Sequence, residues 1–440
     1  MKAMKLSLVI MAAALLTLGL SGMAYAFHSG GVAACDGCHT MHGVFTPGGA
    51  AAIQGKGPNL LVGTDPSSTC LLCHGGVPTG SANIGGGPKV MTYPFPANLS
   101  ANYPTGVNVG GDFAWLQRTY GTATSTSEYG QTHGHNVVAM DFNMFADPDY
   151  PGLSPGGNFL TNTLACNSCH DPHGTYRRVG DNTSYQIGTP TQLGVNSHPI
   201  SGSGSGSSKA IPTPTPTTAV GTYRLLAGNG YAQTAGGAQI GFPGAPIAIS
   251  TSTAGGTEST SLTQFRVAYA NVTANGVTPW GQWCGACHSQ MLSASASTHK
   301  HPVDVPLSGQ GIDLIYNSYV STGNLTGTSA NSYLSLVPFM ESQTNITTLA
   351  GHAGTGILAG PAGSDQVSCR SCHRAHASAF KYMLNWDMNS AFLTDGTPNW
   401  SIVASKNITV NEANQAYYGR PAAYFGAFQR VLCNKCHAKD

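Results

Sequence analysis

Cys166-Asn-Ser-Cys169-His170-Asp-Pro-His173 holds two cysteines two residues apart, a histidine directly after them and a second histidine three residues on. Its first five positions recur. Cys35-Asp-Gly-Cys38-His39, Cys70-Leu-Leu-Cys73-His74, Cys284-Gly-Ala-Cys287-His288, Cys369-Arg-Ser-Cys372-His373 and Cys433-Asn-Lys-Cys436-His437 share the frame, and the six together use all 12 cysteines. Histidine makes up only 16 of 440 residues, so its return after every pair is not accidental. C-x-x-C-H is the attachment frame of c-type haem. The two thiols add to the porphyrin vinyl groups, and the histidine that follows reaches the iron as proximal ligand. Zinc sites would not require a histidine after each pair. Thioredoxin-like dithiols come singly beside a βαβ pattern, and six structural disulfides would not share one spacing. The chain is therefore expected to carry six covalently attached haem c groups, with His39, His74, His170, His288, His373 and His437 on the irons.

Six irons need six further ligands. Ten histidines lie outside the motif positions: His28, His42, His133, His135, His173, His198, His299, His301, His352 and His376. Ten exceeds six, so two imidazoles at every iron can be supplied. Methionine, the alternative that raises the potential, is not needed. Six-coordinate iron leaves no open position for a substrate, which makes the haems carriers of electrons rather than catalytic centres. Three motifs continue to a second histidine, at His42, His173 and His376. On a near-helical backbone, residues three apart share a face. The second histidine then stands on the proximal side of its own haem and is better placed to serve another iron nearby. The competing reading for each is a surface or propionate-binding histidine.

Composition answers what forms the core. Charged residues are 8% of the chain, against roughly 25% in ordinary soluble proteins. With 57 glycines and 26 prolines, long helices and sheets are disfavoured. The expected fold is mostly irregular, with short α-helices organised around the six haems, whose macrocycles replace packed sheets. The net charge of +1 leaves no basic footprint for nucleic acid. Haem propionates would turn the loaded chain acidic, with Arg177, Arg178, Arg374 and Arg420 as candidate partners for them.

Lys2, Lys5, the apolar run 6–20 and Ala24-Tyr25-Ala26 read as a signal peptide over 1–26. The run is too short for a membrane span, which takes about 20 residues, and no later run replaces it, so no membrane anchor is expected. Residues 27–440 are read as one hexahaem unit. Residues 201–264 contain neither Cys nor His and include a Gly/Ser run followed by alternating Pro and Thr. This segment is expected to form a surface insertion. Short helices are expected over 328–341 and 411–418.

Beyond the motifs, FHSGGVAACDGCHTMH (27–42), GGDFAW (110–115), GHNVVAMDFN (134–143), CNSCHDPHGTYRR (166–178), LTGTSANSYLSLVPF (325–339), CRSCHRAHASAF (369–380) and QRVLCNKCHAKD (429–440) carry a resemblance. The chain resembles the OmcS-type extracellular hexahaem cytochromes of metal-reducing bacteria, whose subunits polymerise into conductive filaments. Residues 179–264 and much of 75–109 depart from that pattern. The resemblance implies two histidines on every iron and a continuous haem chain. It supports His28, His42, His135, His173, His301, His352 and His376 as distal ligands. That is seven for six irons, with His28 expected to be the surplus one. His133, His198 and His299 fall outside the matched positions and are expected to be solvent histidines. The resemblance further implies that His42 crosses to the fifth haem, the one held by Cys369 and Cys372, of the next copy in a head-to-tail homopolymer. Extracellular acceptors such as ferric oxides or partner cells, and upstream periplasmic or outer-membrane cytochromes, are the implied partners. A monomeric periplasmic shuttle is the alternative. A multihaem reductase would need a five-coordinate haem, often at a motif lacking its histidine, and all six motifs here are intact.

Overall fold

The computed structural model describes residues 35–40, 57–75, 89–93, 103–106, 108–120, 128–149, 152–172, 178–180, 185–187, 226–228, 231–235, 238–249, 265–271, 278–292, 301–343, 346–395, 399–406, 408–420 and 422–437. The signal segment, His28, His42, His173, His198 and His299 lie outside them. Among the described residues the longest helix is Pro66–His74, and no strand exceeds four residues. No described helix is long and apolar enough to cross a membrane. The irregular architecture expected from the Gly and Pro content is the one observed.

The longest helix shows why helices form where they do. The Asp65 side chain caps it by accepting from the Ser68 N–H at 2.8 Å. Pro66 follows at the first helical position, where its missing N–H costs nothing. The helix is capped at Gly75 and delivers Cys70 and, one turn on, Cys73 and His74. A single helical turn is enough at other motifs. The N–H of His170, His288, His373 and His437 donates to the carbonyl of the first cysteine of its motif at 3.0, 3.1, 2.9 and 2.9 Å respectively. Each histidine thus stands one turn beyond that cysteine.

Two aromatic clusters flank the motifs. The larger joins Trp115, Phe142, Phe380, Trp400 and Tyr417, with the Trp400 and Tyr417 rings stacked at 3.6 Å. The smaller gathers Phe242, Tyr269, Trp280 and Trp283 over a three-stranded mixed sheet. In that sheet Ala268–Ala270 is central. Ile247–Ile249 pairs with it antiparallel, and Met340–Glu341 pairs parallel, with Met340 opposite Tyr269. Buried ion pairs link distant segments. Arg118 meets Glu412, and Arg266 meets Glu341 at 2.7 Å. Glu128 joins His133 at 2.6 Å and Lys406 at 3.1 Å, and Lys406 also faces Asp387 at 3.7 Å.

Two expectations are corrected here. Residues 328–341 form turns ending in the strand Met340–Glu341, not a helix. Their backbone groups are taken by other segments. The Leu334 N–H donates to the Tyr316 hydroxyl at 3.0 Å, the Tyr333 N–H to the Leu358 carbonyl, and the Met340 N–H to the Gln366 carbonyl. The second helix expected, over 411–418, forms as Val410–Ala416. The segment expected to be a surface insertion is in part interior. Ala227 and Ile247 are fully buried, and Ile247–Ile249 enters the mixed sheet. Residues 201–225 lie outside the described set.

Candidate haem-binding site

One cavity of about 1390 Å³ runs through the molecule, larger than the roughly 300–1,000 Å³ of an ordinary small-molecule pocket. Cys38, Cys70, Cys73, Cys166, Cys169, Cys284, Cys287, Cys369, Cys372, Cys433 and Cys436 all line it. None of them is in a disulfide. The thiols of consecutive motifs come close together: Cys70 meets Cys166 and Cys284 meets Cys369, while Cys38 lies near Cys70, Cys169 near Cys287, and Cys372 near Cys433 and Cys436. The six motifs therefore follow one another through space in chain order. Burial pushes several of the thiols up, Cys372 to about 12 and Cys287 and Cys436 to about 11, so these remain neutral in a mainly apolar wall.

Histidines pair across the cavity. Ring centroids of His135 and His288 lie 6.1 Å apart, those of His170 and His376 6.2 Å, and those of His301 and His437 6.3 Å. Metal–imidazole bonds of about 2.0–2.1 Å, with the ring centre ~1.1 Å beyond the nitrogen, put two imidazoles on opposite sides of one metal about 6.3 Å apart. Each pair joins one motif histidine to one of the distal candidates. His376, three residues after His373, faces His170 of the third motif, as the shared-face argument requires. Burial, reinforced by His170, holds His376 near 3, and burial, reinforced by His288, holds His135 near 4. Both rings are thus neutral, the form that binds metal.

The ring orientations agree. His39, His135, His288 and His373 donate from Nδ1 to the carbonyls of Asn59, Ala375, Pro155 and Tyr382 at 2.8, 2.8, 2.8 and 2.7 Å. His376 does so to Gly111 at 3.3 Å. A donor bond at Nδ1 fixes the tautomer that leaves the Nε2 lone pair free for metal. His133 is different. Its Nε2 is held by Glu128 at 2.6 Å and its Nδ1 lies 3.3 Å from the Ser378 carbonyl, so both nitrogens face oxygens and neither is open to a metal. Far from being a solvent histidine, it is fully buried and stacked on Tyr120 at 4.2 Å. Desolvation explains the difference, because the network satisfies both nitrogens without water. His352 has its Nδ1 2.5 Å from Glu341 and lies off the cavity wall with a half-exposed ring. His74 lines the cavity, and His39 lies outside its lining.

The three motifs that continue to a second histidine share a clamp not foreseen in the sequence. The second-cysteine carbonyls of Cys38, Cys169 and Cys372 accept from the N–H of Val62, Ala227 and Asn385 at 2.9, 2.9 and 2.8 Å. His39, His170 and His373 form isolated antiparallel bridges with Leu61, Leu226 and Leu384. In two of the clamps the carbonyl that orients the proximal histidine sits on consecutive left-handed residues, Asn59 and Leu60 at φ 56° and 61°, and Tyr382 and Met383 at 58° and 50°. Such residues cost about 1–2 kcal/mol each, so the clamp holds its conformation against local preference. A Leu-Leu or Met-Leu pair was the available signal.

The donor set fits covalent haem. Thiols come in pairs two residues apart with an imidazole one turn on, and a second imidazole faces three of those six positions. Among the described residues no three His, Cys, Asp or Glu side chains converge as a tetrahedral zinc site would require. Arg374 and Arg420 are buried against Tyr418 instead of standing at the surface.

No family model matches the chain. The C-type cytochrome OmcS of Geobacter sulfurreducens is 40% identical across the whole of both chains. The chain is also similar to two solved structures. A cryo-EM structure of the OmcS nanowires from that organism gives a TM-score of 0.74 at 37% identity, over 94% of this chain and all of that one. A structure of the Outer Membrane Cytochrome S filament gives 0.72 at the same identity and coverage. With identity this high over its full length and the same fold, the chain belongs to the OmcS family of c-type cytochromes.

Proposed function

We propose that this protein is a hexahaem electron carrier that polymerises head to tail into an extracellular filament and conducts electrons along it. The observation that carries the reading is the set of three imidazole pairs 6.1–6.3 Å apart on one cavity whose wall presents the motif thiols in chain order. When bound, haem would supply a one-electron iron centre, and two imidazoles on it would leave no open position for a substrate. The motif cysteines would tether six such groups. His288 and His135 would hold the fourth iron, His170 and His376 the third, and His437 and His301 the sixth. The apolar wall excludes water, and the Nδ1 bonds to main-chain carbonyls keep each ring aimed at its iron. On the same frame His173 leaves its own iron for another. His42 reaches the fifth haem of the next subunit, and His28 and His352 are the remaining distal candidates. A heterologous contact that does not close on itself propagates as a filament. Export by the 1–26 segment delivers the subunit outside the cytoplasm. Acceptors such as ferric oxides or partner cells, and upstream cytochromes, lie at the two ends of the path.

Electron microscopy of the secreted, haem-loaded protein tests the reading. Filaments are expected from the parent chain. His42→Ala should retain six haems, leave one iron high-spin and assemble poorly. Dispersed particles from the parent would favour the monomeric shuttle.

A further inference from the structure

We infer that two buried cations, Arg370 and Lys435, hold the haems of the fifth and sixth motifs at the most positive potentials in the chain, so that electrons collect in its C-terminal third. The inference rests on the haem placement proposed above.

Both residues sit inside a C-x-x-C loop. Arg370 lies between Cys369 and Cys372 and is 5% exposed. Its Nη1 donates to the carbonyl of the proximal His373 at 2.7 Å. Its Nη2 donates to the Val109 carbonyl at 2.7 Å and the Tyr269 hydroxyl at 3.1 Å. Lys435 lies between Cys433 and Cys436 and is also 5% exposed. Its Nζ donates to the carbonyls of Tyr316 and Tyr319 at 2.7 and 3.1 Å, 4.3 Å from the Tyr316 ring centre. All these acceptors are neutral, and among the described residues no carboxylate forms an ion pair with either cation. Each charge is therefore buried, with no described side-chain carboxylate against it.

The other four loops are Asp-Gly, Leu-Leu, Asn-Ser and Gly-Ala, with no cation among them. The second motif has Lys89 donating to the Cys73 carbonyl at 2.9 Å, but that side chain is partly open to solvent and its field is screened. Beside the third and fourth motifs two buried groups have the opposite sign. Asp171 follows His170, and Asp147 lines the cavity with His135. Reduction adds one negative charge at the iron. A cation buried in low dielectric stabilises that form most, and local charge and solvent exposure set the potential of a protein-held iron centre. Arg370 also faces Cys284 and His376, so the fourth and third haems feel its charge more weakly. Asp304, held by N–H groups of Asn271, Gly281 and Gln282, opposes it near Cys369 and offsets part of its field at the fifth motif.

The test is a spectropotentiometric titration of the full haem-loaded chain, beside Lys435→Met, Arg370→Met and the charge-keeping Arg370→Lys, with intact mass counting the haems. Lys435→Met should move one of six components away from the positive end. Arg370→Met should move another and displace its neighbours less, and Arg370→Lys should follow the parent. If Arg370→Met does not mature, Lys435→Met decides alone. Titrations of the neutral variants that superimpose on the parent's, with six low-spin haems present, overturn this inference and leave the haem placement standing. Fewer than six haems, or a high-spin iron, in the parent overturns both.

Discussion

Glu128 is the hub on which the turn carrying His133, and two residues later His135, is fixed. Burial pushes its carboxyl up, but the hydrogen bond to His133 and the Lys406 charge pull harder in the other direction, and it settles at about 2 instead of the usual 4.5. At about 1.4 kcal/mol per pKa unit, that difference corresponds to roughly 3 kcal/mol of stability. Because the folded-state value is depressed, this contribution is complete above about pH 4.5 and is lost as pH falls toward 2. Glu128→Gln keeps the shape and removes the charge. At pH 7 the variant should be less stable than the parent by up to ~3 kcal/mol. As the pH is lowered the parent should lose that margin and the two should converge. Guanidinium unfolding followed by tryptophan fluorescence, at several pH values from 7 to 3, measures the gap. A gap that is absent at pH 7, or unchanged at pH 3, refutes the reasoning.

Other outcomes follow from equally local features. Arg118 and Glu412 form a fully buried pair joining the segment after Phe113–Gln117 to the helix Val410–Ala416. Removing either partner should cost about 3–5 kcal/mol, while Arg118→Met with Glu412→Leu together should cost far less. Denaturation midpoints of the four-member cycle give the answer, and additive losses would contradict it. A Cβ at Gly111, where φ is +103°, would lie 1.7 Å from the Ala377 carbonyl oxygen. Gly111→Ala should therefore disturb His376 and leave one iron with altered ligation in the low-temperature EPR spectrum. His376→Ala should make the third haem high-spin and leave the fifth unchanged, which site-resolved NMR of the paramagnetically shifted ligands distinguishes.

The attachment sites were legible because their geometry is local: Cys, two residues, Cys and His specify one turn of chain. The role of His376 was half legible. The three-residue offset says which iron it does not serve, and only the fold brings His170 opposite it. The clamps were not legible, because Leu61, Leu226 and Leu384 stand 23, 57 and 12 residues beyond Cys38, Cys169 and Cys372, with no common spacing to detect. His133 was misread for a related reason. A histidine that misses the matched positions looks free in one dimension, and its partners Glu128 and Ser378 come from five residues before it and 245 after. The helix expected over 328–341 failed where tertiary partners outbid local preference at Tyr333, Leu334 and Met340.

That consecutive motifs neighbour one another in chain order has a consequence for how such a chain can change over generations. First cysteines are 35, 96, 118, 85 and 64 residues apart along the polypeptide, yet thiols of successive motifs lie near each other at every step. Current crosses gaps in space, whereas the connecting polypeptide takes detours of any length. Insertions and deletions in those detours leave the gaps untouched where they spare the iron ligands and the clamps. Contour length is free to drift elsewhere, while within 179–264 Leu226, Ala227 and the strand Ile247–Ile249 stay tied to the path. A cut before Cys433 would shorten that path by its last station and leave the other five in order.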